Sequence, residues 1–360
     1  MKANLVTPID SAMGYAEMGR RTFHSFRSVF DLSVTDLPMQ QTAADLGSIA
    51  LEMRRICRPQ LSTELTVVNM VPVLWDRYLQ NYPLVGYTTF EASLIPKSWV
   101  DKANLCPAVL TTSDWNAEVM KASGVKVPVL TLSPAFEPKQ AIAKKDGIFR
   151  FFSSFQWSQR KNPEGLIRAY IAAFEGRNDV ELVIKTHIKS GNEQAEIAAL
   201  IKNVAGRCLA SKIPPIRVIS DQISFSKNEK IAAECDCYIG LSFGEGWGLP
   251  AWEAAERGQP AILTGWGAYS DWAAGSPLLV DSRTQPIFGM EKSVSPFFNS
   301  SMRWGDPSID HAVDLMRAVK DRPDWAKESA AGLASQLQLR FAKHHQINSL
   351  TMLKDIIDSK

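Results

Sequence analysis

Short β-branched runs and amphipathic helical stretches take turns along nearly the whole of this 360-residue chain, and the series runs twice. In the first series ANLVTP, FDLSVTD, LTVVNMV, LVGYTTF, AVLTTS and VPVLTLSP read as strands, separated by helical stretches such as TAADLGSIALEMRRI and DWNAEVMKASG. Parallel strands need long crossovers, usually helical, so this alternation predicts a parallel sheet with helices on both faces. EPKQAIAKKDG interrupts the pattern with proline, glycine and charge, and reads as a linker. The alternation restarts with FRFFSSF, VELVIKTH, IRVISD, CYIGLS, PAILTG and SPLLVDS, and after Arg303 the chain reads as mostly helical. The expectation is an α/β chain of two doubly wound, Rossmann-like domains facing each other across a cleft. Ligands of such sheets bind beyond the carboxyl ends of the strands, so the loops that follow strands carry the search for function.

Bulk properties remove several classes of function. A net charge of +2 lacks the basic excess of a nucleic-acid binder. No apolar run approaches the roughly 18–20 residues that cross a bilayer, and MKANLVTPIDSAMG reads as a first strand, not a signal peptide. Five scattered cysteines suit reduced thiols, and Cys235 and Cys237 follow strand alternation, not metal-site spacing. The expected location is cytoplasmic.

Two loops stand out. In FFSSFQWSQRKNPEGLIRAYIAAF, Asn162 suits a helix N-cap, Pro163 the first helical position, and Leu166, Ile167, Tyr170, Ile171 and Phe174 a buried stripe. Arg160 and Lys161 therefore precede a helix N-terminus, where the dipole disfavours cations unless an anion joins them. The second loop is FGEGWGLPAWEAAERGQP, between the strands CYIGLS and PAILTG. Gly244, Gly246 and Gly248 let backbone approach a ligand, Pro250 suits the first helical position, and Gly258 with Pro260 ends the helix. Carboxylates repel phosphate but accept hydrogen bonds from vicinal hydroxyls. The loop thus suits a ligand that is rich in hydroxyls and carries a phosphate: a nucleotide-sugar. Glu253 is expected on the ribose diol or, as a plain first-turn glutamate, on the helix dipole; Glu245 is expected on the sugar and Glu256 in solvent.

Glu245 and Glu253, with seven residues between them in EGWGLPAWEA, resemble the E-x7-E signature of retaining glycosyltransferase family 4, which has the GT-B fold. SQRKNPEGLIRAY is similar to that family's donor-phosphate loop, and GYTTFEASLIPKSWVDKAN with LTTSDWNAEVMKASGV to its acceptor-side half. RWGDPSIDHAVDLMRAV is similar to the stretch that follows the last strands. The resemblance implies an acceptor-side domain over residues 1–138 and a nucleotide-sugar domain over 139–342. It also implies that a terminal helix, 343–360, crosses back onto the first domain through Ile347, Leu350, Leu353 and Ile357.

By the same resemblance Arg160 and Lys161 neutralise the leaving diphosphate, Glu253 binds the ribose and Glu245 the donor sugar. The backbone of Gly246, Trp247, Gly248 and Leu249 lines the site, Gly14 in DSAMGYAEMG touches the donor phosphate, and the base rests near Ser220 and Ile223. The partners implied are a nucleotide-sugar donor and a saccharide or glycolipid acceptor, with no cofactor and no metal. These roles predict that Glu245→Gln impairs donor use and leaves free nucleotide binding nearly intact.

The chain departs from the family pattern at Ser154 and Phe155, where many members have Gly-Arg, and at TTFEAS, where many have a histidine and this chain offers Glu91. Glu91 is an acceptor-side or catalytic candidate, with a structural carboxylate the equal alternative. Arg20, Arg21 and Arg27 with Phe23, Phe26 and Phe30 read as core first and as weak peripheral membrane contact second. His344 and His345 read as surface residues. A non-catalytic nucleotide-sugar-binding protein of the same fold is the alternative from another class. A nicotinamide dehydrogenase would want G-x-G-x-x-G after the first strand, and SAMGYAEMG spaces its glycines too widely.

Overall fold

The computed structural model describes residues 1–39, 47–58, 63–80, 83–140, 142, 146–187, 193–221, 223–290 and 295–359. The start of the expected second helix (42–46) and part of the expected linker (141 and 143–145) lie outside the described residues. The chain divides into two compact units, Met1–Phe136 with Leu337–Lys360, and Glu137–Gln336.

The first unit contains β1 (Lys2–Thr7), α1 (Gly14–Val29), β2 (Asp31–Asp36), α2 (Gly47–Arg55), β3 (Leu65–Asn69), β4 (Leu84–Tyr87), α3 (Lys97–Ala103), β5 (Val109–Thr111), α4 (Asp114–Ala122) and β6 (Val129–Thr131). Its six strands pair in parallel in the order β2-β1-β3-β4-β5-β6. Every residue of β3, β4 and β5 is buried, the signature of a sheet covered on both faces. Strand order reverses between β1 and β3, and the loop after β1, which leads to Gly14, opens at that switch point.

The second unit contains β7 (Phe149–Gln156), α5 (Pro163–Phe174), β8 (Val180–His187), α6 (Glu193–Arg207), β9 (Ile216–Ile219), α7 (Phe225–Ala233), β10 (Cys237–Gly240), α8 (Leu249–Glu256), β11 (Ala261–Thr264), α9 (Ala268–Trp272) and β12 (Leu279–Val280). These strands are also parallel, in the order β12-β11-β10-β7-β8-β9. Counted from β7 this is the dinucleotide-fold order 3-2-1-4-5-6, whose crevice lies between the first and fourth strands, here β7 and β10. Its core gathers Phe151, Leu166, Tyr170, Phe174 and Ile184.

After Arg303 the chain is mostly helical, as expected, in α10 (Ile309–Asp321), α11 (Pro323–Arg340) and α12 (Lys343–Asp358), but β14 (Arg303–Pro307) first pairs antiparallel with β13 (Ser282–Pro286), a pair the strand runs do not foretell. RWGDP owes its placement to tertiary packing of Trp304, which is fully buried, and not to any strand period.

In the first unit α12 lies against α1. Leu350 and Leu353 are fully buried, Ser25 Oγ donates to Gln346 Oε1 at 2.5 Å, and Gln346 Nε2 donates to the Ser133 carbonyl at 2.7 Å. Phe23, Phe26 and Phe30 of the α1 region are buried, which removes them from any membrane surface. Arg20 is buried too, bridging Glu17 and the carbonyls of Ile9 and Ser11 in the β1–α1 loop. No helix among the described residues is long and apolar enough to cross a membrane.

Candidate functional site

The crevice position of the second unit is occupied by the two loops singled out above, one after β7 and one after β10. After β7 the chain makes a short 3-10 turn, Gln159–Lys161, and enters α5 through Asn162. Asn162 adopts the left-handed conformation (φ 51°, ψ 51°), which asparagine tolerates better than most residues. Its side chain accepts from the Gly165 N–H at 3.0 Å and donates to the Leu241 carbonyl at 3.0 Å. One side chain thus caps α5 and ties it to the end of β10. A second stitch follows, in which the Phe243 N–H donates to the Arg160 carbonyl at 2.8 Å and Arg160 Nη1 donates to the Gly244 carbonyl at 2.7 Å.

These ties bring the charges together. Lys161 Nζ lies 2.5 Å from Glu245 Oε1, and Arg160 Nη1 lies 3.4 Å from Glu245 Oε2. Burial of Glu245 raises its pKa, but the neighbouring Lys161 and Arg160 charges outweigh that and hold the carboxyl below the ordinary glutamate value. Lys161 and Glu245 line a pocket of about 280 Å³, counted to its open mouth, with Ser153, Ser154, Tyr238 and Tyr269. Ser154 and Phe155 thus sit at this pocket, where they offer a hydroxyl and an aromatic ring in place of a cation.

The glutamate loop is buried from Leu241 to Gly248. Gly248 is the N-cap of α8 at φ 85°, and a Cβ there would lie 2.3 Å from Tyr269 Cε1, so both conformation and space require glycine. The Trp247 carbonyl accepts from Trp272 Nε1 at 2.9 Å, and the Gly248 carbonyl accepts from the N–H groups of Ala251 and Trp252.

Three helix-level expectations need correction. α8 starts at Leu249, so Pro250 is its second residue and Glu253 its fifth. With no acidic residue in the first turn, the reading of Glu253 as a first-turn dipole partner falls away. Glu253 is half-buried, and its charge, with that of Glu245, adds to burial in raising the pKa of Tyr238. Glu256 does not face solvent. It is buried, accepts from the Glu137 N–H at 3.2 Å and lies 3.6 Å from Lys139 Nζ. That contact depends on where the linker lands, which local sequence does not encode.

The remaining predicted residues scatter along sheet edges. Ser220 and Ile223 are half-buried between β9 and α7, at the carboxyl end of the second sheet but two strands from β7. Gly14 is the exposed first residue of α1, in the first unit. Glu91 follows β4 on the same sheet edge and is close enough to add to burial in raising the pKa of Tyr15, whose hydroxyl lies 2.8 Å from Thr88 Oγ1. Glu91 and the Gly14 loop therefore share one end of the first unit.

Sequence reasoning missed two supports of the site. The β13–β14 hairpin packs on both loops. Trp304 stacks on Phe243 at 4.8 Å, the Gly305 N–H donates to the Phe243 carbonyl at 2.8 Å, and Gly289 leaves room for Gln159. The turn after β11, GWGAYSDW, supplies Tyr269 and Trp272. Its place after a strand of a parallel sheet was the available signal.

No protein-family model and no curated protein sequence matches the chain. Solved structures do match. Anabaena HepE in complex with UDP and glucose aligns with a TM-score of 0.67 at 12% identity, over 99% of this chain and 100% of its own. Trehalose-6-phosphate synthase from E. coli, bound with UDP-2-fluoro glucose, aligns at 0.65 and 10%, over 99% of each chain. A trehalose-6-phosphate synthase studied for glycosyl transfer with retention also aligns at 0.65, with 11% identity. S. aureus TarM, in complex with fondaparinux, α-GlcNAc-glycerol and UDP, aligns at 0.61 and 12% over 82% of this chain, which spans 56% of the TarM chain. At such identities the likeness concerns the fold. The two six-stranded parallel α/β domains are those of a GT-B protein.

Proposed function

We propose that this chain is a retaining glycosyltransferase of the family 4 kind. It moves a sugar from a nucleoside-diphosphate sugar to a hydroxyl of a saccharide or lipid-linked saccharide acceptor, without a metal. The observation that carries the reading is the meeting of Lys161, Arg160 and Glu245 at the β7–β10 crevice of a sheet with dinucleotide-fold order. The GT-B likeness, with neighbours that hold UDP and glucose, supports it.

In this reading the diphosphate docks at the N-terminus of α5 and takes Lys161 and Arg160 as its cations. Charge-assisted bonds to phosphate oxygens replace those to the Glu245 carboxylate, and the dipole of α5 adds to them. Glu245, released from Lys161, accepts from hydroxyls of the donor sugar. Glu253 accepts from the ribose diol, Ser220 and Ile223 carry the base, and N–H groups of Gly246 through Leu249 face the sugar and phosphate. Gly14 and Glu91, of the first unit, keep the roles the resemblance gives them: Gly14 on the donor phosphate and Glu91 on the acceptor.

The bond between the anomeric carbon and the diphosphate oxygen breaks, and the acceptor oxygen bonds to the same face. The acceptor proton passes to the departing diphosphate oxygen. Negative charge grows on that oxygen in the transition state, where Lys161 and Arg160 stabilise it more than in the ground state. A neighbour studied for transfer with retention supports the stereochemical part.

A thermal-shift panel of UDP-, GDP-, ADP- and dTDP-sugars tests the reading, since a ligand at a hundredfold excess over its Kd stabilises by roughly 3 kcal/mol. One nucleotide class is expected to stabilise the chain, and NMR of the released or transferred sugar is expected to show the donor's anomeric configuration. Stabilisation by none of them, or an inverted product, would overturn it.

A further inference from the structure

We infer that Tyr269 is a positioning residue of this site: its ring, wedged between Gly240 and Gly248, sets where the glutamate loop holds the Glu245 carboxylate. The inference rests on the donor-site reading above.

Two glycines make room for one ring. A Cβ on Gly248 would lie 2.3 Å from Tyr269 Cε1 and 2.6 Å from its hydroxyl oxygen, and a Cβ on Gly240 would lie 3.3 Å from that oxygen. Gly240 belongs to β10 and is not among the glycines with positive φ, so its backbone conformation does not call for glycine. Space does: the same Cβ would sit 3.0 Å from Tyr238 Cε1, and the hollow over the end of β10 is filled by the two tyrosines. Gly240 and Gly248 flank the whole loop that carries Glu245, so the ring props that loop at both ends.

The turn that carries Tyr269 also grips the loop between those ends. The Ala268 N–H donates to the Glu245 carbonyl at 3.2 Å, and Trp272 Nε1 donates to the Trp247 carbonyl at 2.9 Å. Gly267, at φ 68°, brings its backbone so close that a Cβ would lie 3.1 Å from the Glu245 oxygen. Tyr269 is itself buried and meets Trp272 edge-on at 5.6 Å and 87°, which fixes the ring plane. It is also the one residue of this turn that lines the pocket with Lys161 and Glu245. Removing the ring leaves a void that the Glu245 backbone can enter, so the carboxylate loses its fixed position relative to Lys161.

A ring that only fills core would lower stability and leave the role of Glu245 unchanged. The test is therefore a double-mutant cycle on the full chain with UDP-glucose and UDP as probes. Tyr269→Leu is expected to raise the KM for UDP-glucose by about tenfold, and Tyr269→Phe, which keeps the ring, by less than about threefold. In a Glu245→Gln background, Tyr269→Leu is expected to add less than about threefold, because the group it positions is already altered. UDP affinity is expected to hold or rise in Tyr269→Leu. Equal losses for Tyr269→Phe and Tyr269→Leu, fully multiplicative losses with Glu245→Gln, or no effect of Tyr269→Leu would each overturn the inference. Should Tyr269→Leu fail to fold, Gly240→Ala presses on the ring from the other side and is expected to raise the same KM in the same Glu245-dependent way. No change there would overturn it as well. If the wild-type chain binds neither probe, the same cycle is run with the nucleotide and nucleotide-sugar that stabilise it in the four-class panel; stabilisation by none of the four brings the donor-site reading down first, and a wild type that binds its pair isolates the role of Tyr269.

Discussion

Lys161 Nζ lies 2.5 Å from Glu245 Oε1, joining two loops whose charged residues are 84 positions apart in the chain. With Arg160 at 3.4 Å the cluster carries two positive charges and one negative, mostly out of water. The two cations hold the charge of the buried carboxylate, and the carboxylate partly neutralises them in turn. The groups assigned to diphosphate and to sugar are therefore each other's partners.

This pairing reverses one expectation. On the proposed reading, Glu245→Gln is expected to change free nucleotide binding, because it removes the carboxylate that would compete with phosphate for Lys161 and Arg160. Calorimetric titration is expected to show free UDP binding at least about threefold tighter, a gain of about 0.7 kcal/mol that is modest beside the 1.5–3 kcal/mol of a charge-assisted bond. Use of the full donor is expected to fall in the same variant, since the amide keeps one neutral acceptor oxygen where the carboxylate has two charged ones. Weaker UDP binding in Glu245→Gln would remove the competition from the account.

The same pair makes stability depend on pH. The Glu245 carboxyl is held below its ordinary value, since the Lys161 and Arg160 charges outweigh burial. For a lowered carboxyl the unfolded chain binds the extra proton, so the stabilisation is complete above the unfolded value and lost as pH falls through the folded one. Urea unfolding of wild type and Glu245→Gln between about pH 3 and pH 6 is expected to show the difference moving in favour of wild type as pH rises. A difference that moves the other way would mean that Glu245 is buried as the acid.

Much of the architecture is legible in the chain because it is written locally. The strands of both sheets fall inside the β-branched runs to within one residue, and Asn162, Pro163 and the Leu166–Phe174 stripe build α5 where the cap and period place it. The cationic loop and the glutamate loop are legible as loops. Their contact is not, because it depends on β7 lying beside β10, and strand order is not a property of any window. The same limit hides Glu256, whose partners come from the linker, and Tyr269, whose glycine hollow joins residues from two strand ends. RWGDP becomes a strand because Ser282–Pro286 reaches it across a long loop, and five residues with one buried tryptophan carry no readable period.

Glu253 sits on the second turn of α8, half-buried, with its charge felt by Tyr238. Its assignment to the ribose diol implies that Glu253→Ala loses affinity for UDP as well as for the full donor, by about 1.5–3 kcal/mol, or roughly ten- to a hundredfold. Calorimetry with UDP alone checks this. Unchanged UDP affinity would return Glu253 to a structural part in α8.

Transfer is expected to survive chelation. On the proposed reading Lys161, Arg160 and the N-terminus of α5 would take the part that a divalent cation takes at other diphosphate sites. Assays with excess EDTA are expected to keep the rate of sugar release from the donor. A rate abolished by EDTA and restored by a divalent metal would contradict this account of the leaving group.

The most direct test of the central claim is the turnover number of Lys161→Ala with saturating donor. The proposed reading places Lys161 where negative charge grows as the bond to the sugar breaks, so its loss is expected to fall on turnover more than on ground-state binding. The account predicts that kcat for sugar release drops by about 10²–10³-fold, the scale of losing one preorganised donor to a developing oxyanion. A Lys161→Ala variant that folds, binds donor and turns over at the wild-type rate would contradict it.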